Sequence, residues 1–107
     1  MSGDDNTSYT VRTVAGTTAT ATANDSVLIF TNSATKTLVL PPVATTQPGR
    51  EYYVICNNTG VLTLDGNASE TINGATTFAV VAGTAGGSTG RAGIVSDGTQ
   101  WFTTYSQ

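Results

Sequence analysis

The chain has 107 residues, four Lys and Arg against seven Asp and Glu, no histidine and a formal net charge of −3. Its cations, Arg12, Lys36, Arg50 and Arg91, are scattered, so no basic stripe exists to neutralise a phosphate backbone and nucleic acid is not an expected partner. No apolar run approaches the ~18 residues of a membrane span, and the polar start MSGDDNTSYT has no apolar signal core, so the expectation is a chain made in the cytoplasm with no membrane partner.

Only 10% of residues are charged, and threonine, roughly a fifth of the chain, supplies the polar surface in their place. A β-branched hydroxyl residue suits the solvent face of a strand. No window carries apolar residues at i, i+3, i+4 and i+7, so helix is expected to be almost absent.

Residues 1–24 come first. Within them YTVRTV (9–14) reads as a strand, while AGTTATATA (15–23) alternates Thr with Ala or Gly and has little side chain to bury. Such a segment cannot hold its own register. It is expected to be an extended N-terminal arm, or an edge strand, that gains order by pairing with something else. Residues 25–107 then form the β-rich domain. Its strand-like runs are 26–31, 36–41, 50–57, 60–65, 76–82, 91–96 and 100–106, separated by turn signals such as NSAT, NNTG, DGN, NGA and SDGT. The cadence predicts an all-β fold, a compact β-sandwich or barrel-like roll of short antiparallel strands. The stretch 82–93 reads as a Gly-rich loop.

The segment TLVLPPVATTQPGREYYVICNN (37–58) carries firm punctuation. Pro41 forces Leu40 extended and offers no ladder donor, Pro42 prolongs the stop, and Pro48-Gly49 fits a type II turn that launches the next strand. All of it is explained as a crossover between sheets.

Period-2 alternation assigns faces. Leu38 and Leu40, Tyr53 and Ile55, and Leu62 and Leu64 are the expected core, with Ile29, Ile72, Phe78, Val80, Ile94 and Trp101; Cys56, the lone cysteine, is expected to be a small core residue. The opposite faces are apolar too, at Val39, Tyr52, Val54 and Val95. In so short a chain this predicts burial of a second surface by another subunit.

The chemistry of catalysis is missing. Without histidine there is no Ser-His or Cys-His nucleophile pair, and one cysteine cannot complete a zinc site. The acids Asp4, Asp5, Asp25, Glu51, Asp65, Glu70 and Asp97 fall mostly in turns, where bonding to local backbone explains them. DGNASE, with Asp65, Asn67 and Glu70, lacks the full calcium-loop pattern, and GGSTGRAG lacks the ending of a P-loop. No catalytic residue, metal or cofactor is expected. Tyr52, Tyr53, Trp101, Phe102 and Tyr105 offer either a platform for stacking sugars or packing for core and subunit contacts; the second is the ordinary explanation.

Taken in order, VLIF (27–30), TLVLPP (37–42), PGREYYVICNNTG (48–60), LTLDGN (62–67), ETINGA (70–75) and VSDGTQWF (95–102) resemble a small β domain found in bacteriophage tail fibres and in minor capsid or fibre proteins of large DNA viruses. The likeness covers 26–104; the stretch 82–93 is longer than its pattern. It implies a compact, usually trimeric, non-enzymatic virion module that folds without disulfides. A fibre is expected to carry an anchor and a long shaft, and one domain behind a short arm fits a capsid decoration, or cement, protein better. The expected partners are further copies in a homotrimer and the major capsid protein or other virion proteins, with the virion as location. The alternative is a fibre tip or carbohydrate-binding module with a host glycan as ligand. The interface residues expected on the arm and outer faces are Tyr9, Val11, Val14, Thr18, Thr20, Thr22, Tyr52, Val54 and Arg91.

Overall fold

The structure is a computed structural model that describes residues 10–80 and 90–106. Among the described residues there are nine strands and no α-helix. β1 (Val11–Val14), β3 (Val27–Phe30), β5 (Glu51–Cys56), β8 (Gly90–Ser96) and β9 (Trp101–Ser106) form one sheet in the order β1-β3-β5-β8-β9. β2 (Thr18–Thr20), β4 (Lys36–Val39), β6 (Leu62–Asp65) and β7 (Thr77–Val80) form the other, in the order β2-β4-β6-β7. Each expected strand run lies over one observed strand, and the fold is all-β.

The pairing corrects the antiparallel expectation. From β1 to β6 the chain alternates between the sheets, winding three coils that each give one strand to each sheet. Successive strands of a sheet therefore run the same way: β1 with β3, β3 with β5, β2 with β4 and β4 with β6 are parallel. Reversal comes only afterwards, as β7 pairs antiparallel with β6, β8 with β5 and β9 with β8. The turn signals NSAT and NNTG, which a run of antiparallel strands would make hairpins, are corners that carry the chain from one sheet to the other.

The Thr/Ala segment also finds its partner inside the chain. Thr18, Ala19 and Thr20 lie opposite Thr37, Leu38 and Val39, and the pairing is extended by Ala21 N–H to Val39 O (2.9 Å). Residues 11–14 and 18–20, expected in an arm, are thus the edge strands of the two sheets. Tyr9 and the rest of 1–9 lie outside the described residues. So do 81–89; of the expected loop at 82–93, residues 90–93 are strand, the start of β8.

The core lies between the sheets. Leu28, Phe30, Tyr52, Val54, Cys56, Ala92, Ile94 and Trp101 point inward from one, and Leu38, Leu40, Leu62, Leu64 and Val80 from the other, with Ile72 and Val43 sealing the ends. Phe78 packs half-buried against them. Two strands have the opposite phase from that expected. In β5 it is Tyr52 and Val54 that turn inward, while Tyr53 and Ile55 face out; in β3, Ile29 faces out as well. Tyr52 can be buried because its phenol has an acceptor, Thr22 O at 2.8 Å, and its ring packs 5.8 Å from that of Trp101. The crossover after β4 matches the expected punctuation: Gly49 has φ +93° and Arg50 N–H closes the turn on Gln47 O at 2.9 Å. Between them a short 3-10 turn, Val43–Thr45, is held by Glu70, whose Oε1 accepts Val43 N–H at 2.9 Å.

At the corners between β3 and β4 and between β5 and β6, the coils are clamped by Lys36. Its side chain is buried, and Nζ donates to Asn32 O (2.7 Å), Ala34 O (2.8 Å), Thr59 O (3.0 Å) and Gly60 O (3.0 Å). Gly60 must be glycine there: φ is +91°, and a Cβ would stand 2.4 Å from Ala34 O. Asparagines repeat the tie. Asn32 Nδ2 donates back one coil to Ala15 O (3.0 Å), and Asn58 Nδ2 donates back one coil to Thr31 O (3.0 Å). Replacing Lys36 by Met keeps most of the volume but strips four carbonyls of their donor, so Lys36→Met should cost roughly 3 kcal/mol or more in urea denaturation. An unchanged midpoint would show that the clamp contributes nothing.

Candidate functional site

Strands that are apolar on one face and polar on the other need only one covering layer. β3 and β5 are apolar on both, and the pairing register collects their outward residues into rows. Val11, Val27, Tyr53, Gly93 and Tyr105 form one row across all five strands. Thr13, Ile29, Ile55 and Arg91 form the next, and Glu51, Val95 and Phe102 a third. Five strands and three rows span on the order of 400 Å². That footprint, which takes in Thr13, Arg91 and Glu51 beside the apolar residues, is about the size of the largest patch on a typical monomer.

Within this face Val11 is 60% exposed, Tyr53 40%, Phe102 38% and Tyr105 41%. Two local features shape it. A register shift at Gly93/Ile94 adds a residue to β9, so that Phe102 and Tyr105, three apart, both face outward. Gly93 leaves room above β8, and the rings of Tyr53 and Tyr105 stack across it with centroids 6.5 Å apart and planes at 21°. A side chain at 93 would meet Thr104 Oγ1 at 2.6 Å and the Tyr53 ring at 3.5 Å. Arg91 lies beside the stack, its Cζ 6.0 Å from the centre of the Tyr105 ring. Where β3 and β5 begin lies a groove of about 550 Å³ lined by Ser26, Val27, Gly49, Arg50, Glu51, Tyr52 and Tyr53.

The outer face of the four-stranded sheet is different in kind. Its rows read Thr18, Thr37, Thr63, Ala79 and Thr20, Val39, Asp65, Thr77. Threonine hydroxyls here satisfy water, and little apolar surface is left over.

Behind the groove sits a polar corner. Arg12 donates through Nη2 to Asp25 Oδ2 (2.9 Å) and to Thr20 O (2.8 Å), and Thr22 N–H donates to Asp25 Oδ2 at 2.8 Å. Burial alone would raise the Asp25 carboxyl, but the bonds from Thr22 and Arg12 and the guanidinium charge outweigh it and hold the group below its ordinary 3.8. Arg50 spans this corner, donating to the carbonyls of Ala23 (3.2 Å) and Asp25, with its Cζ 4.1 Å from the centre of the Tyr52 ring. Burial is the main cause that raises the Tyr52 phenol above 10.0, partly offset by Arg50, so it stays a donor to Thr22 O.

Of the interface residues expected from the sequence, the structure brings few together. Val11 and Arg91 lie on the apolar face. Thr18 and Thr20 are exposed on the threonine face, and Thr22 is at the corner, its carbonyl engaged by Tyr52. Val14, Tyr52 and Val54 are core residues, a correction that follows from the inverted phase of β5 and, for Val14, from its pairing with Phe30. Tyr9 lies outside the described residues. Val95, expected on an apolar back face, and Tyr53, Phe102 and Tyr105, expected as aromatics for stacking or for core and subunit packing, do lie on this face, while Val27 was not singled out from the sequence. Among the described residues no three potential metal ligands gather, and no helix is long and apolar enough to cross a membrane. Glu70 is spent on the Val43 N–H and Asp65 on the threonine face, which leaves DGNASE as a turn. No family model and no curated protein matches the sequence.

Because the Asp25 pKa is lower in the folded chain than in the unfolded one, its stabilisation is fully present above 3.8 and is lost as pH falls through the folded value. Acid titration of the unfolding free energy should show that loss in the wild type. Asp25→Asn should flatten it and cost about 2 kcal/mol at neutral pH; a variant with an unaltered acid limb would remove Asp25 as its source.

Proposed function

We propose that this chain is a non-enzymatic structural protein of a virion, a capsid decoration protein that acts as a homotrimer and stabilises the shell. The observation that carries the reading is the contrast between the outer faces: apolar and aromatic on the five-stranded sheet, threonine-covered on the four-stranded sheet. One face is built to be covered and the other to remain wet. Such a module works mechanically. Surface buried across capsomer junctions raises the free energy of separating them.

The first coil supports a second contact. β1 and β2 are edge strands of the two sheets, and an edge offers backbone donors and acceptors for strand addition by the major capsid protein or another virion protein. The resemblance of residues 26–104 to virion modules points the same way.

The stacked pair Tyr53–Tyr105 favours a second reading, a fibre tip or carbohydrate-binding module in which the rings carry a host sugar. The two readings part on experiment. Shells bearing the protein should survive heat and osmotic shock better than shells lacking it, and Val11→Asp, at the β1 edge, should reduce the gain. Equal survival would sink the decoration reading, whereas specific binding on a glycan array, lost in Tyr53→Ala, would establish the second.

A further inference from the structure

We infer that the first coil, residues 10–25, is a cap that unravels on its own while the rest of the fold stays closed, with the Asp25 carboxylate as its latch. The inference concerns how the chain opens and holds whether or not the chain decorates a shell.

The inward rows of the core run out at this coil. In the five-stranded sheet one row reads Arg12, Leu28, Val54, Ala92, and in the four-stranded sheet one reads Ala19, Leu38, Leu64, Phe78. A guanidinium and a methyl group stand where the next two coils place Leu28 and Val54, and Leu38 and Leu64. Of residues 10–25, Val14, Ala21 and Asp25 are buried, whereas the second coil buries Leu28, Phe30, Lys36, Leu38 and Leu40. Opening the first coil therefore forfeits little apolar burial. The lysine clamp does not reach it either. The four carbonyls on Lys36 Nζ come from the two later corners, and the corner of the first coil is tied by Asn32 Nδ2 to Ala15 O at 3.0 Å.

What closes the cap is polar. Asp25, 5% exposed, accepts from Thr22 N–H (2.8 Å) and Oγ1 (3.2 Å) and from Arg12 Nη2 (2.9 Å) and Nε (3.2 Å). Arg12 Nη2 also donates to Thr20 O at 2.8 Å, so one carboxylate ties β1 to the turn after β2 and closes the coil into a ring. From β5, Tyr52 Oη donates to Thr22 O (2.8 Å) and Arg50 Nη2 to Ala23 O (3.2 Å).

The ionisable groups that face Asp25 are Arg12 on β1 and Arg50 and Tyr52 on β5; Glu51 stands on the outer face. The arginines keep their charge and the Tyr52 phenol its proton throughout the acid range, so Asp25 is the group of this corner that titrates there. Protonation removes the charge that Arg12 and Thr22 bind, and a coil with no core of its own does not keep its ring without it. The latch is in force above 3.8 and weakens as pH falls through the folded value. Release exchanges a polar end of the stack for an apolar one, with Leu28 and Leu38 at its edges.

Amide hydrogen exchange on the full chain reads the cap directly. Adjacent residues of β4 answer to different coils: Thr37 N–H donates to Thr17 O of the cap (2.9 Å), and Lys36 N–H to Val61 O (2.9 Å), before β6. Thr31 N–H, on Val14 O (3.1 Å), belongs with Thr37; Asn57 N–H, on Phe30 O (2.8 Å), belongs with Lys36. Corrected for intrinsic rates, Thr31 and Thr37 should exchange about tenfold or more faster than Lys36 and Asn57. Val80→Ala, on β7 at the far edge of the sheet from β2, should speed the slow pair and leave the fast pair unchanged. Asp25→Asn should speed the fast pair about tenfold or more. Acid should speed it in the wild type and add nothing in Asp25→Asn. Equal protection of Thr37 and Lys36, or a Val80→Ala effect shared by all four amides, would overturn the separate cap. A fast pair unmoved by Asp25→Asn would overturn the latch.

Discussion

A lysine ammonium sealed beneath two corners is the interaction on which the coil depends. Four carbonyls at 2.7 to 3.0 Å surround Lys36 Nζ, two from the corner that precedes β4 and two from the corner that precedes β6. An ammonium has three protons, so one or more must be shared, and the carbonyl dipoles take the place of a carboxylate partner. Each corner on its own is a short irregular segment with carbonyls turned inward, which burial would penalise. Lys36 turns that penalty into attraction, and it does so for two coils at once. Stacking coil on coil is therefore enforced where the chain has no ladder of its own.

Once the coils stack, much else follows. Parallel strands brought together in this way need both faces covered when both are apolar, and antiparallel hairpins would not have demanded it. The inner face is satisfied by the opposing sheet: Leu28, Val54 and Ala92 line one row, with Leu38 and Leu64 in the facing sheet. Among the described residues, the outer face of the five-stranded sheet has no such layer. The outer face of the four-stranded sheet needs none, because Thr18, Thr37 and Thr63 place a hydroxyl at each step. Strand identity along one chain thus divides the outer surface into an apolar, aromatic part and a part that water serves.

The strands themselves were legible from alternation and turn residues, and the Pro48-Gly49 turn was legible in detail. The phase of β5 was not read correctly, although the signal was present. Cys56 was expected inside, and period two from Cys56 places Val54 and Tyr52 inside with it; the choice of Tyr53 and Ile55 followed from their bulk in a strand where both faces are apolar. Lys36 carried the same kind of signal. It lies in phase with Leu38 and Leu40, so alternation turns it inward, but it was weighed only as one of four scattered cations. The winding was missed because an internal repeat was not sought. FTNSATKTLV (30–39) and CNNTGVLTLD (56–65) lie at a constant offset and share Asn at the third place and Thr-Leu at the eighth and ninth. Read as corners, NSAT and NNTG mark coils; read alone, they mark hairpins.

Surface function was hardest to read because it is set by register between strands far apart in sequence. Tyr53 and Tyr105 are neighbours only because β8 stands between them with glycine at 93, and Phe102 joins the same face only because the bulge adds a residue to β9. Neither condition shows in a strand taken by itself. Alternation alone would put Phe102 and Tyr105 on opposite faces and leave a single aromatic outside. The bulge therefore decides whether this sheet ends in a smooth edge or in a ridge. The bulge interrupts the ladder and lets one strand bury Trp101 while it turns both Phe102 and Tyr105 outward.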